Sequence, residues 1–263
     1  MFKGLISPEK AHHNGSSSGV DSNYGIVVRN VHKYFGAKHV LKDINLEIPF
    51  GQIYGLLGPS GCGKTTMVKI IAGILEATSG KAYVLGEAMP QLSLMNKVGY
   101  MAQSDALYGS LTAAENLQFF GAIYGMNKAE IKRRTAEVME LVNLSDDLDK
   151  PVQAYSGGMK RRLSLAMAIL HNPPVLVLDE PTVGIDPLLR KNIWAELYKL
   201  AAQGVTILVT THVMDEAEKC HQLAMMRAGR LIAKGTSQEL QKNIGVRSIE
   251  EAFLYYGGQQ DES

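Results

Sequence analysis

At 263 residues the chain is long enough to bury a sizeable core, as one large domain or two small ones, without disulfide or metal support. A composition of 46% hydrophobic and 20% charged residues excludes a fibrous or disordered chain, and a net charge of +1 leaves no overall field to draw in nucleic acid or an anionic surface. The cysteines, Cys62 and Cys220, provide neither a pairing framework nor metal-ligand spacing, which fits a reducing compartment.

Residues 1–23 carry a polar stretch from His12 to Gly19 in place of the apolar run of a signal peptide, and are read as a flexible leader outside the fold. From Ile26 onward short apolar strands alternate with amphipathic helices. Apolar residues recur with period two over Ile44–Ile48, the pattern of a strand with one buried face. Ile53–Leu57 is apolar apart from Gly55 and reads as a strand covered on both faces. Met67, Ile70, Ile71 and Ile74 then stand at helical spacing, so a helix follows that strand.

Residues from about 104 to 170 are richer in charge and predict a helical insert, with a capping box at Thr112 and Glu115 and a helix over Lys128–Asn143. A helix beginning near Gly157 turns Leu163, Ala166, Met167 and Leu170 inward. Strands resume at Val175–Leu178 and Val205–Val209. Between them lies a helix with Asp186 as N-cap, Pro187 at its first position and Gly204 past its end. The fold class is therefore α/β, a mostly parallel sheet with helices on both faces, read as a single domain over 24–263. The longest uncharged stretch, Leu163–Leu178, is broken by His171-Asn172-Pro173-Pro174, so no segment spans a bilayer as a continuous apolar helix.

Between the second strand and its helix lies Gly58-Pro59-Ser60-Gly61-Cys62-Gly63-Lys64-Thr65-Thr66, a P-loop. Its glycines let backbone N–H groups approach phosphate oxygens, Lys64 reaches the β- and γ-phosphates, and the Thr65 hydroxyl ligates Mg²⁺. ATP with Mg²⁺ is the expected ligand. Further on, Val175–Leu178 delivers Asp179 and Glu180 at a strand's C-terminal end, where ligands sit in open α/β sheets. Asp179 suits Mg²⁺ and Glu180 the attacking water, as general base. An Asp-Glu-Pro turn would read the same way by itself.

Tyr155-Ser156-Gly157-Gly158-Met159 resembles the signature motif of ATP-binding cassette (ABC) proteins, and further elements of that family follow suit. Phe35, before Gly36, looks like the aromatic that stacks on adenine, with Tyr34 as the alternative. Gln103 resembles the Q-loop glutamine, Gly184-Ile185-Asp186 the D-loop, and His212 the switch histidine. The resemblance covers the chain from Ile26 to about Gly235. It implies the ABC ATPase fold, with an antiparallel β subdomain beside the P-loop core and the helical insert.

It also implies roles. Glu180, His212 and Gln103 act in catalysis, and Gln103 joins Thr65 and Asp179 around the metal. Ser156 and Gly158, with Tyr155, Gly157 and Asp186 nearby, close over ATP bound to a facing cassette. The implied partners are an integral-membrane permease on a separate chain and a second cassette, identical or related, at the cytoplasmic face of the cell membrane, with no nucleic acid. Met159 in place of the common glutamine, the run Lys160-Arg161-Arg162, and a closing helix at about 248–256 resemble the ATPases of two-component exporters of drugs, lipids or polymers. An importer ATPase, a cassette acting on ribosomes or DNA, and a regulatory module without turnover are the alternative readings.

Overall fold

The computed structural model describes residues 23–104 and 106–259; apart from Asn23, the expected leader lies outside the described residues. Two sheets form the frame. Strands β1 (Tyr24–Phe35), β2 (Lys38–Pro49), β4 (Ser79–Val84) and β5 (Glu87–Ala88) make an antiparallel sheet in the order β2-β1-β4-β5. Strands β3 (Ile53–Leu57), β6 (Val98–Met101), β7 (Val175–Asp179), β8 (Thr206–Thr211), β9 (Gln222–Arg227) and β10 (Arg230–Gly235) make the second, in the order β10-β9-β3-β8-β7-β6, parallel except for β10.

The uniformly apolar runs form the centre of this second sheet because both of its faces are covered. In β3, Ile53 and Leu57 join one apolar cluster while Tyr54 and Leu56 join the opposite one. On that opposite side lie helix α1 (Lys64–Ile71) and the antiparallel sheet, the β subdomain that the family resemblance implies. The half-buried pattern read over Ile44–Ile48 belongs to the longer β2, whose Ile44, Leu46 and Ile48 point into this cluster. One expectation fails here. Helix α1 buries Met67, Ile70 and Ile71, but Gly73 takes a left-handed φ of 73° and ends it, and Ile74 is 52% exposed.

The helical insert consists of α2 (Ala113–Ile123), α3 (Lys128–Leu141) and α4 (Gly157–Ile169). Thr112 Oγ1 accepts from Glu115 N at 3.1 Å and Glu115 Oε2 accepts from Thr112 N at 2.8 Å, which is the expected capping box; Asn127 and Glu130 build a second one on α3. The expected inward stripe of α4 is buried, and so are Leu165, Ala168 and Ile169. That helix is enclosed between the sheet and the rest of the insert. Helices α3 and α4 also exchange arginines. Arg134 donates to the carbonyls of Ile169 and Leu170 at the end of α4, and Arg162 donates to those of Val142 and Asn143 at the end of α3. Each thereby satisfies carbonyls that a helix terminus leaves without partners.

Helix α5 (Pro187–Ala202) is capped as expected, Asp186 Oδ1 accepting from Leu189 N at 3.0 Å, and buries Ile193, Trp194 and Leu197 against the sheet. After the short α6 (Met214–Ala217) and α7 (Ser237–Lys242), α8 (Ile249–Gly258) is the last helix among the described residues, N-capped by Ser248 and packed on α6, α7 and β10. Among the described residues no helix is long and apolar enough to cross a membrane.

The seat of α4 depends on Gly99 of β6, where an added Cβ would stand 2.1 Å from the Ala168 carbonyl oxygen. Gly99→Ala should therefore force α4 off the sheet and lower stability by about 1–3 kcal/mol. A urea midpoint equal to that of the wild type would show that the close approach is dispensable.

Candidate nucleotide site

The parallel pairing sets Leu57 beside Thr211 and Thr210 beside Asp179, so the loops after β3, β7 and β8 open at the same end of the sheet. A cleft of about 420 Å³ lies there, lined by Phe35, Ser60, Gly61, Gly63, Lys64, Thr65, Thr66, Gln103 and Glu180, together with Lys38 and Val40. Gly61 and Gly63 adopt φ of 78° and 114°, and Gly63 leads directly into α1. Side chains with a Cβ resist that conformation, and it aims backbone N–H groups and a helix N-terminus at the cleft. Of the two aromatics, Phe35 lines the cleft, whereas Tyr34 is stacked on His39 with ring centroids 3.9 Å apart.

Lys64 is 5% exposed, and its Nζ donates to the carbonyls of Gly58 at 2.7 Å and Pro59 at 3.1 Å. It also stands 3.7 Å from Glu180 Oε1, which accepts from His212 Nδ1–H at 2.9 Å. A carboxylate oxygen accepts, so this contact places a proton on His212 Nδ1. Glu180 has a left-handed φ of 53°, a conformation costing a side-chain-bearing residue about 1–3 kcal/mol. It is held there by its backbone. Glu180 N donates to Thr210 Oγ1 at 3.0 Å, and the Glu180 carbonyl accepts from Arg161 at 2.7 Å.

Asp179 is fully buried behind this group; one carboxylate oxygen accepts from Thr210 Oγ1, and the other, Oδ2, is buried without a hydrogen-bond partner. A buried charge is normally paired, so an orphaned carboxylate oxygen beside a phosphate cradle suits a cation. Thr65 Oγ1 and Gln103 Oε1 face each other at 3.5 Å. This set of hard oxygen donors fits Mg²⁺, which usually takes few protein ligands and completes its shell with phosphate and water.

Other expected residues lie outside the cleft. Ser156 caps α4, its Oγ accepting from Met159 N at 3.2 Å, and Ser156 and Gly157 are exposed. Asp186 is engaged as the cap of α5. Tyr155 departs from its expected place against nucleotide: it is 5% exposed and its hydroxyl donates to the Asp147 carbonyl at 2.7 Å, so the ring anchors the signature loop from within. Burial pushes its phenol up to about 12. The Cys62 side chain is likewise turned inward, and burial pushes its thiol up against the opposing pull of Lys64.

Lys38, Val40 and Thr210 also belong to the site, and Arg161, in the sequence only part of a basic run, bonds to its backbone. Thr210 had a usable signal, a hydroxyl at the C-terminal end of a buried strand. Lys38 and Val40 had none beyond lying near Phe35.

A phosphate cradle with two carboxylates is common to many nucleotide-handling proteins, and sequence kinship decides among them. The profile of the family described as "ABC transporter" matches residues 41–183, more than half of the chain. The chain belongs to the ABC transporter family. It is an ATP-binding subunit of the ABC type, and its reaction is ATP hydrolysis. The linearmycin resistance ATP-binding protein LnrL of Bacillus subtilis (strain 168) is 39% identical over 238 residues, covering 86% of this chain and 76% of that protein. The Nod factor export ATP-binding protein I of Cupriavidus metallidurans is 40% identical over 227 residues, 85% of this chain and 75% of that one.

Among solved structures, an ATP-binding subunit of an ABC transporter superposes with a TM-score of 0.83 at 28% identity, over 88% of this chain and 99% of its own. The dimeric post-hydrolysis state of the cassette MJ0796, bound to ADP and Pi, gives 0.76 at 27% identity, over 80% and 98%. The ABC ATPase fold expected from the sequence is thereby established.

Thr210 offers a direct test of how this ABC cassette holds its carboxylates. Thr210→Val keeps the shape but removes the hydroxyl shared by Asp179 and Glu180 N, which should cost about 1–3 kcal/mol of stability and slow phosphate release. A variant as stable and as fast as wild type would mean that the hydroxyl does not position them.

Proposed function

We propose that this chain is the motor subunit of an ABC exporter, pairing head to tail with a second cassette so that each ATP is held between the P-loop of one chain and the signature loop of the other. The observation that carries this reading is the position of Ser156 and Gly157, exposed at the N-terminus of α4 and absent from the chain's own cleft. A helix N-terminus open to solvent suits an anion, here one brought from outside the chain's own cleft. A facing copy would bring it over the γ-phosphate, with Ser156 and Gly158 as the donors. The pair is a homodimer or one with a related cassette.

In the cleft, Phe35 stacks on adenine, the backbone of Gly58 to Thr66 cradles the phosphates, and Lys64 exchanges its contacts with the Gly58 and Pro59 carbonyls for β- and γ-phosphate oxygens. Thr65, Gln103 and Asp179 hold Mg²⁺, which supplies charge neutralisation on the phosphate oxygens when bound. Glu180 takes a proton from the attacking water as its oxygen bonds to the γ-phosphorus and the bond to ADP breaks. His212 holds Glu180 through Nδ1–H, and a hydrogen on its other nitrogen would donate to a γ-phosphate oxygen.

The export reading rests on the relatives, one conferring linearmycin resistance and one serving Nod factor export, and on the run from Met159 to Arg162. The permease is a separate membrane chain, and this subunit works at the cytoplasmic face. An apolar groove of about 290 Å³ between β6 and the insert, lined by Ile74, Met95, Leu107, Phe120 and Tyr124, suits a short apolar segment of that permease. Ala102 and Ser104, on either side of Gln103, line the same groove, so pressure there reaches the nucleotide.

Glu180→Gln should lower turnover by roughly 10²-fold or more while keeping ATP affinity, and should double the solution mass in Mg²⁺-ATP. Lys64→Ala should lose binding or turnover outright. Normal turnover in Glu180→Gln would remove it as the base, and a monomer under every nucleotide condition would count against the shared site.

A further inference from the structure

Arg161 lies one turn into α4 and is 7% exposed. Its Nη1 donates to the carbonyls of Ala102 at 2.7 Å and Gln103 at 2.9 Å; its Nη2 donates to the carbonyl of Glu180 at 2.7 Å and to that of Asp179. The first two carbonyls follow β6 and carry the Gln103 side chain into the cleft. The other two carry the carboxylates. Strands β6 and β7 pair only as far as Met101 with Leu178, so Arg161 takes over where the ladder stops. One guanidinium thus bridges both segments, using the two prongs of a rigid planar fork.

The position has a second consequence. From Gly157 to Arg161 the backbone is a continuous helix, about 8 Å long at 1.5 Å per residue, and Ser156 caps it. The next residue, Arg162, turns to the end of α3 instead. Adjacent arginines therefore fasten α4 to the catalytic segments on one side and to the insert on the other.

We propose that Arg161 is a positioning residue that couples the two ATP sites of the pair: it ties Gln103, Asp179 and Glu180 of its own site to the helix end that closes the partner's site. The inference rests on the head-to-tail reading given above. A shift of Gln103 or Glu180 on hydrolysis moves α4 through Arg161, and with it Ser156 and Gly158 on the neighbouring γ-phosphate. The two sites then communicate within the cassettes, without a detour through the permease.

Mixed pairs carrying two affinity tags test this by single-turnover phosphate release, with Glu180→Gln silencing one site. The reference pair is wild type with Glu180→Gln. In the first test pair Arg161→Gln sits in the chain whose own P-loop site is competent. In the second, Arg161→Gln and Glu180→Gln share one chain opposite a wild-type chain, so the competent site borrows only the signature loop of the altered chain. Both should be slower than the reference by an order of magnitude or more, the scale of an ångström-level misplacement. ATP affinity should stay within about twofold, which also reports that the chain folds. Arg161→Lys keeps the charge and is the more conservative replacement, yet it cannot span both carbonyl pairs, and it should not restore the second pair. A second pair as fast as the reference, or full recovery with lysine, would overturn the coupling role. If the reference pair neither forms nor turns over, the shared site itself falls, and the coupling with it.

Discussion

The parallel register of β3, β8 and β7 is the constraint on which the site depends. It sets Leu57 beside Thr211 and Asp179 beside Thr210, and so delivers the phosphate loop, both carboxylates and His212 to one end of the sheet from widely separated parts of the sequence. A slip of one residue in any of these strands would turn its side chains to the opposite face. The apolar runs prevent that, because alternate residues of β3, β7 and β8 are committed to two different clusters on the two faces. Hydrophobic packing thus secures the register on which the catalytic geometry rests.

Within that frame the polar groups are arranged against their own cost. Lys64, Asp179 and Glu180 are all nearly removed from water. Charges so placed must find partners or be neutralised. Lys64 and His212 both lie against Glu180, and Thr210 satisfies one oxygen of Asp179, leaving the other to whatever cation enters with the nucleotide. A further buried acid, Glu216, accepts from Thr182 and Thr211 and so joins the loop after Glu180 to the strand end before His212. The low dielectric that makes such groups expensive also makes their interactions with phosphate strong.

Much of this was legible because the signals were local. The P-loop needs its glycines and its lysine in a fixed order. The boundaries of α2 and α5 are written in single capping residues, Thr112 and Asp186. The buried strands announce themselves by having no polar face. What escaped depends on residues far apart in sequence. Arg161 looks like one of a run of surface cations, and only the folded chain reveals four carbonyls around it. Tyr155 reads as part of a contact motif, yet its hydroxyl finds Asp147 inside the insert. Ile74 continues a helical stripe on paper, but Gly73 ends the helix first.

The exchange of Arg134 and Arg162 between α3 and α4 bears on how force travels. Sliding one helix along the other would strip guanidinium groups and terminal carbonyls of their partners at both ends together, and no intermediate offset would satisfy either. The pair is therefore stiff in shear. A push delivered at the groove beside Gln103 would therefore meet the two helices as one stiff unit and not as a soft, yielding insert.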